Sequence, residues 1–132
     1  IEMTTHNGKR VAMAQEFLPA VREGDKRILL LEGEPLGAIL RVPRQDDVRS
    51  NIHVGGTVVK AEVTAQERHM LQALKPRLLQ DGLHFVGVDV IGGKLTEINV
   101  TSPTGIQQMS RLDGIDYSER VIAWIEQRSA AH

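Results

Sequence analysis

The sequence predicts an α+β fold, a mostly antiparallel sheet with helices packed on it. Three observations carry that reading. Short β-rich runs are joined by turn dipeptides, Glu32-Gly33 and Gly92-Gly93. A single long stretch from Thr64 has helical periodicity. The order along the chain is strands, loop, helix, strand pair, helices, with no repeat, low-complexity tract or internal boundary.

Taken in order, residues 11–18 read as a strand leading into a turn at Pro19. Residues 28–31 form a short apolar run, Glu32-Gly33 a hairpin turn, and residues 35–42 resume the extended pattern. Residues 43–60 carry Pro43, Arg44, Asp46, Asp47, Arg49, Ser50 and Gly55-Gly56 without periodicity, which predicts a long loop. A loop of that length in a compact domain is usually functional or mobile. Thr64-Ala65-Gln66-Glu67 fits a capping box, in which side chains satisfy the first free amides of a helix. Met70, Leu71, Leu74 and Leu78 follow on one helical face, and Gly82 is a stop. Pro76 falls inside the pattern and should kink or interrupt it. Residues 85–91 and 95–100 are β-rich and flank Gly92-Gly93. A short helix is predicted over residues 106–112, and a last one from Asp116 or Ser118 to about Arg128, with Val121, Ile122 and Ile125 as its apolar face.

Composition bounds the class. The chain has 132 residues, 41% apolar and 25% charged, ordinary for one globular domain. Only 3% are aromatic, so the core must be aliphatic. A net charge of −1 gives no case for nucleic acid or for an acidic membrane surface. No cysteine is present, which excludes disulfides and thiolate metal sites. The 5 histidines are scattered, and none is spaced for zinc. No apolar run is long enough to span a bilayer. Ile1-Glu2-Met3-Thr4 lacks the basic start and apolar stretch of a signal peptide and reads as a cut into a longer chain. A cytoplasmic setting is the expectation.

The chemistry concentrates in residues 87–104, GVDVIGGKLTEINVTSPT. Asp89 interrupts an apolar run, and Glu97 and Asn99 flank Ile98. Residues two apart on a strand share a face, so Glu97 and Asn99 present a carboxylate and an amide oxygen side by side. Such hard oxygens suit Mg²⁺, and the same alternation is what a solvated strand face would show. A plain two-residue turn at Gly92-Gly93 pairs Ile91 with Lys94 and sets Asp89 opposite Thr96, with Glu97 pointing away. Convergence of Asp89 with Glu97 therefore requires a one-residue shift, such as a bulge. A basic group comprises Lys26, Arg27, Arg41 and Arg49; arginine forks suit phosphate and carboxylate, although most such residues are simply exposed. Gly55-Gly56 lacks the lysine and hydroxyl of a phosphate-binding loop, and Ser102 lacks a nucleophile-elbow context.

The succession Gln15-Glu16-Phe17-Leu18-Pro19-Ala20, Gly24-Asp25-Lys26-Arg27, Leu40-Arg41-Val42-Pro43, Arg49-Ser50-Asn51, Gly55-Gly56, Phe85-Val86-Gly87-Val88-Asp89 and Leu95-Thr96-Glu97-Ile98-Asn99-Val100-Thr101-Ser102-Pro103-Thr104 resembles the C-terminal region of prokaryotic glutathione synthetases, which are ATP-grasp ligases. The resemblance runs from about Val11 to the C-terminus and leaves the first ten residues poorly matched. The acid followed two residues later by Asn is general to ATP-grasp enzymes, whereas the TSPT extension and GDKR point to glutathione synthetase.

The resemblance implies a set of roles. Gln15, Glu16, Phe17 and Leu18 would lie between two lobes and meet the adenine of ATP, with Asp25 near the nucleotide. Arg27 and Arg41 would be catalytic, on the transferring phosphate, the reacting carboxylate or the oxyanion. Asp89, Glu97 and Asn99 would hold two Mg²⁺ ions, Glu97 bridging, with Mn²⁺ as a possible substitute. Residues 43–60 would form a lid carrying Arg49 and Asn51 to the substrate, and Ser102 and Thr104 would lie near γ-glutamylcysteine or glycine. The chain, residues 1–132, would be the C-terminal part of an ATP-grasp fold. It would lack the N-terminal substrate domain and the central lobe, be inactive alone, and self-associate into a homo-oligomer. The rival expectations are another ATP-grasp carboxylate–amine ligase and a non-catalytic interaction module that kept the fold.

Overall fold

The computed structural model describes residues 6–43 and 56–130. A short 3₁₀ turn, Pro19–Arg22, precedes five strands and three helices: β1 (Asp25–Leu31), β2 (Glu34–Val42), β3 (Thr57–Ala61), α1 (Ala65–Gln80), β4 (Phe85–Ile91), β5 (Lys94–Asn99), α2 (Ile106–Asp113) and α3 (Tyr117–Ser129). The strands form one sheet in the order β3-β2-β1-β4-β5. Every neighbouring pair is antiparallel, as the sequence predicts.

Both hairpins share one construction. The central turn residues take positive φ, 53° and 74° at Glu32-Gly33 and 56° and 76° at Gly92-Gly93, which matches the right-handed twist of the strands they join. Two regular pairs follow each turn, and then the register slips by one residue. Leu30 faces Pro35 but Leu29 faces Gly37, which leaves Leu36 as the extra residue. Val90 faces Leu95 but Asp89 faces Glu97, which leaves Thr96 as the extra residue.

Helix α1 starts on the capping box. The Glu67 amide donates to Thr64 Oγ1 at 3.2 Å, and the Thr64 amide donates to Glu67 Oε2 at 2.8 Å. It ends in a paired cap: the Leu83 amide donates to the Leu78 carbonyl at 2.8 Å and that of Gly82 to Leu79 at 3.1 Å, with Gly82 at φ 70°. The helix is not interrupted at Pro76. Proline removes one backbone bond there, but Leu71 and Leu78 on either side of it are buried, and their packing holds the helix together.

The sheet separates two cores. Ile28, Leu30, Val86, Val88 and Val90 pack with Leu71 and Leu78 of α1. On the opposite face Leu29, Leu36 and Ile39 pack with Met109 of α2 and with Tyr117 and Val121 of α3. On α3, Val121 is buried, but Ile122 and Ile125 are exposed at 53% and 44%, contrary to the expected apolar face. Tyr117 fixes the rotation of α3: its ring is buried and its hydroxyl donates to Asp113 at 2.8 Å, so the inward face is Tyr117, Val121 and the half-buried Trp124.

Two further expectations are corrected. Residues 11–18 form no strand; Val11, Met13 and Phe17 are exposed, and no described strand lies beside them to accept their backbone bonds. The loop expected over residues 43–60 ends early, because Thr57–Ala61 pairs with β2 as an edge strand. Residues 44–55 of that loop, Arg49 and Asn51 among them, lie outside the described residues. Among the described residues no helix is long and apolar enough to cross a membrane.

Candidate functional site

Strand alternation and the two bulges bring the charged residues into one row. Asp25 faces Arg41 across β1–β2, Arg27 faces Asp89 across β1–β4, and Asp89 faces Glu97 across β4–β5. Directly paired residues share a face of the sheet, so Asp25, Arg27, Arg41, Asp89 and Glu97 lie together on the α2–α3 side. Asn99, two residues beyond Glu97, joins them. The one-residue shift that convergence requires is supplied by Thr96, whose hydroxyl donates to the Asp89 carbonyl at 3.1 Å.

Asp89 is the hub and is 3% exposed. Arg27 grips it with two donors, Nε to Oδ1 and Nη2 to Oδ2, the latter at 2.8 Å. Arg41 Nη2 reaches the same Oδ2 at 3.0 Å and also pairs with Asp25. Asn99 Nδ2 donates to Oδ2 at 3.3 Å, which leaves the amide oxygen of Asn99 free of this contact. Arg27 Nη1 donates to the Thr104 carbonyl at 3.1 Å, so the loop before α2 closes over the guanidinium. Gly87 provides the room: a Cβ there would stand 3.2 Å from Arg27 Cδ and 3.0 Å from Pro103 Cβ. Burial disfavours the charge on Asp89, but the Arg27 hydrogen bonds and the charges of Arg41 and Arg27 outweigh it and hold the carboxyl below its ordinary range. Arg27 is likewise desolvated, yet the bonds to Asp89 and the charges of Asp89, Asp25 and Glu97 raise its pKa.

Glu97 is exposed at the mouth of this row. Its carboxylate and the Asn99 oxygen are hard donors with the chemistry a divalent cation needs. Among the described residues no cluster of three or more His, Cys, Asp or Glu could hold an ion. Glu97 and Asn99 share one face of β5 and offer such oxygens side by side. Oδ2 of Asp89, with three donors on it, could join them only if one of those donors moved.

The remaining sequence candidates are spread around the row. Gln15, Glu16, Phe17 and Leu18 form an extended, mostly exposed segment beside the Gly92-Gly93 turn: Lys94 Nζ stands 3.9 Å from Glu16, and a Cβ on Gly92 would lie 2.9 Å from that of Ala20. Thr104 meets the row through its carbonyl, with its hydroxyl 3.5 Å from Arg27 Nη1. Ser102 is exposed at φ 47°. Lys26 leaves the basic group, because it points to the other face. There it binds Glu67 at 2.8 Å and the Glu62 carbonyl at 2.9 Å. Adjacent strand residues face opposite sides, and that alternation alone separates Lys26 from Arg27. A hollow at the β3 edge, lined by Lys60, Glu62, Arg68 and Asp113, includes none of the row.

The sheet that carries this row belongs to a known class: comparison with known proteins identifies an ATP-grasp domain. It belongs to the prokaryotic glutathione synthetase family, whose ATP-grasp domain model matches residues 1–114. The match therefore includes the first ten residues, which the sequence reading had set apart. The chain is 53% identical over 95% of its length to a glutathione synthetase of Thermosynechococcus vestitus, covering 39% of that protein. It is 51% identical over 97% to one of Synechocystis, covering 40%, and 47% identical over 99% to one of Agrobacterium fabrum, covering 41%. The chain thus spans about two fifths of the length of the curated relatives it matches. The family implies use of ATP and a divalent metal.

Proposed function

We propose that this chain supplies the metal- and phosphate-binding half of an ATP-dependent, cytoplasmic ligase that joins γ-glutamylcysteine to glycine. The cysteine carboxylate of γ-glutamylcysteine is a poor acylating agent. Transfer of the γ-phosphoryl group of ATP to it gives an acyl phosphate; the glycine amine attacks the carbonyl carbon, and phosphate leaves. Negative charge develops on the phosphoryl oxygens and then on the carbonyl oxygen, where fixed cations are most effective. The observation that carries the reading is the Arg27–Asp89–Arg41 cluster with Glu97 directly across the bulge.

In this reading Arg27 and Arg41 are the catalytic cations, aimed by Asp89 and Asp25. Glu97, Asn99 and Asp89 would hold two Mg²⁺ ions, or Mn²⁺ in their place. Bound there, the metal would neutralise phosphoryl oxygens. Gln15, Glu16, Phe17 and Leu18 line the adenine, with Asp25 near the nucleotide. Arg49, Asn51, Ser102 and Thr104 contact substrate, and the loop carrying Arg49 and Asn51 excludes water from the acyl phosphate. Exposed Val11, Met13 and Phe17 belong against a second lobe, and their exposure supports self-association of the chain alone.

The test is phosphate release from ATP with γ-glutamylcysteine and glycine. The chain alone should show none. Joined to the N-terminal three fifths of a relative it should turn over, and Glu97→Gln should abolish that turnover. An unaffected Glu97→Gln fusion, or full activity of the chain alone, refutes the reading.

A further inference from the structure

One oxygen of Asp89, Oδ2, is saturated. A carboxylate oxygen has about two lone-pair sites, and three donors crowd Oδ2: Nη2 of Arg27, Nη2 of Arg41 and Nδ2 of Asn99; Oδ1 takes Nε of Arg27. Oδ2 is the oxygen that Asn99 touches, so it is the one a cation shared with Asn99 would meet, and a cation of the magnesium type, which must touch an oxygen directly and tolerates little distortion, can take Oδ2 only by displacing a donor. The three are not equally held. Arg27 is 6% exposed, grips with a fork and is tied to Thr104 as well. Asn99 is neutral and adds no repulsion to an incoming cation. Arg41 touches Asp89 through a single nitrogen, keeps an independent partner in Asp25, and has its buried Nε without a hydrogen-bond acceptor among the described residues.

We infer that Arg41 occupies the metal's place on Asp89 and yields it when a divalent cation binds, pivoting on Asp25 to present its guanidinium to the reacting groups. The inference rests on the proposed metal role of Asp89, Glu97 and Asn99 and adds a coupling to it. Arg41 is stowed against carboxylates while the metal is absent and is released only when the metal arrives. In the empty site its charge is spent on the site's own acids; once the metal takes that place, the charge is free for the reacting groups. Linkage makes the effect reciprocal: whatever affinity the metal loses in displacing Arg41 is regained when Arg41 is removed.

Two measurements on the full chain test it, with Mn²⁺ alone as the probe. Loss of the free-ion electron paramagnetic resonance signal reads Mn²⁺ binding. Arg41→Met should bind Mn²⁺ about fivefold or more tightly than the unmodified chain. Because removing any nearby positive charge also helps a cation, the second measurement reads Arg41 itself. The rate of phenylglyoxal labelling at Arg41, mapped by mass spectrometry, should rise about twofold or more on saturation with Mn²⁺. Labelling at Arg27 should not change. This arm uses the unmodified chain and survives a variant that fails to fold. Unchanged or slower labelling of Arg41 with Mn²⁺ bound, or weaker binding by Arg41→Met, overturns the inference and leaves the metal role standing. Binding that Glu97→Gln does not weaken, or no binding by either chain, overturns both.

Discussion

Replacing Asp89 by alanine should be among the most damaging single changes to the stability of this chain. It strands the Arg27 guanidinium, 6% exposed, with the Thr104 carbonyl and hydroxyl as its only described hydrogen-bond acceptors. Arg41 loses one of its two described charged partners but retains Asp25. Breaking a buried pair from one side typically costs about 3–5 kcal/mol. Against a total of about 5–15 kcal/mol for a domain of ordinary stability, that is a large fraction. Urea denaturation at neutral pH should show the midpoint falling by that energy divided by the slope, while the slope itself holds. Asp89→Asn keeps one acceptor and should lose less. The pH dependence gives an independent sign. The Asp89 pKa is depressed on folding, so its contribution is present above the unfolded aspartate value, ~4, and is lost as pH falls through the lower folded value. The gap between the unmodified chain and Asp89→Ala should therefore narrow below about pH 4. A loss under about 1 kcal/mol, or a gap constant into acid, would show that Arg27 is adequately solvated without its partner and would refute the reasoning.

Glu67 serves both the capping box and Lys26, so Glu67→Ala should cost about 3–5 kcal/mol and Glu67→Gln, which can still close the box, distinctly less; equal losses in urea melts would discount the ion pair. Gly37→Ala places a Cβ 2.7 Å from Met109 Sδ and 3.0 Å from Tyr117 Cζ and should destabilise by about 1–3 kcal/mol, with a shifted Tyr117 ring resonance as the local sign. Pro76→Ala restores a backbone donor inside α1 and should raise stability, by up to about 3 kcal/mol; a fall in the melting temperature would mean that the ring itself packs.

Much of the fold was legible because its signals are local. Thr64 and Glu67 act within one helical turn, and Gly92-Gly93 specifies a hairpin by backbone freedom alone. The need for a one-residue shift between Asp89 and Glu97 followed from counting across that turn; which residue takes it up did not. Thr96 can do so because its hydroxyl closes on the Asp89 carbonyl, a contact that exists only once the strands pair. Residues 11–18 have strand-like composition, but a strand needs a neighbour, and no described residue supplies one. Thr57–Ala61 has the opposite history: short and half polar, it is a strand because Val42 to Ala38 on β2 offer it a free edge. The row itself was only partly readable. Asp89 was visible as an acid within an apolar run and Arg27 as a base beside one, but their mutual grip depends on β1 lying beside β4, a pairing of segments 62 residues apart.

The position of each strand in the sheet gives the row an uneven stiffness. β1, which carries Asp25 and Arg27, is the middle strand and is hydrogen-bonded along both sides, to β2 and to β4. β5, which carries Glu97 and Asn99, is an outer strand, held among the described residues from one side only. The arrangement is that of a vise with one fixed jaw and one that travels. Amide protons of β1 should exchange with solvent only in global unfolding, while those along the open edge of β5 exchange through small local excursions. An incoming ion would therefore set its bond lengths by drawing in the travelling jaw, and the guanidinium on the fixed jaw would hold its bearing while the ion does so.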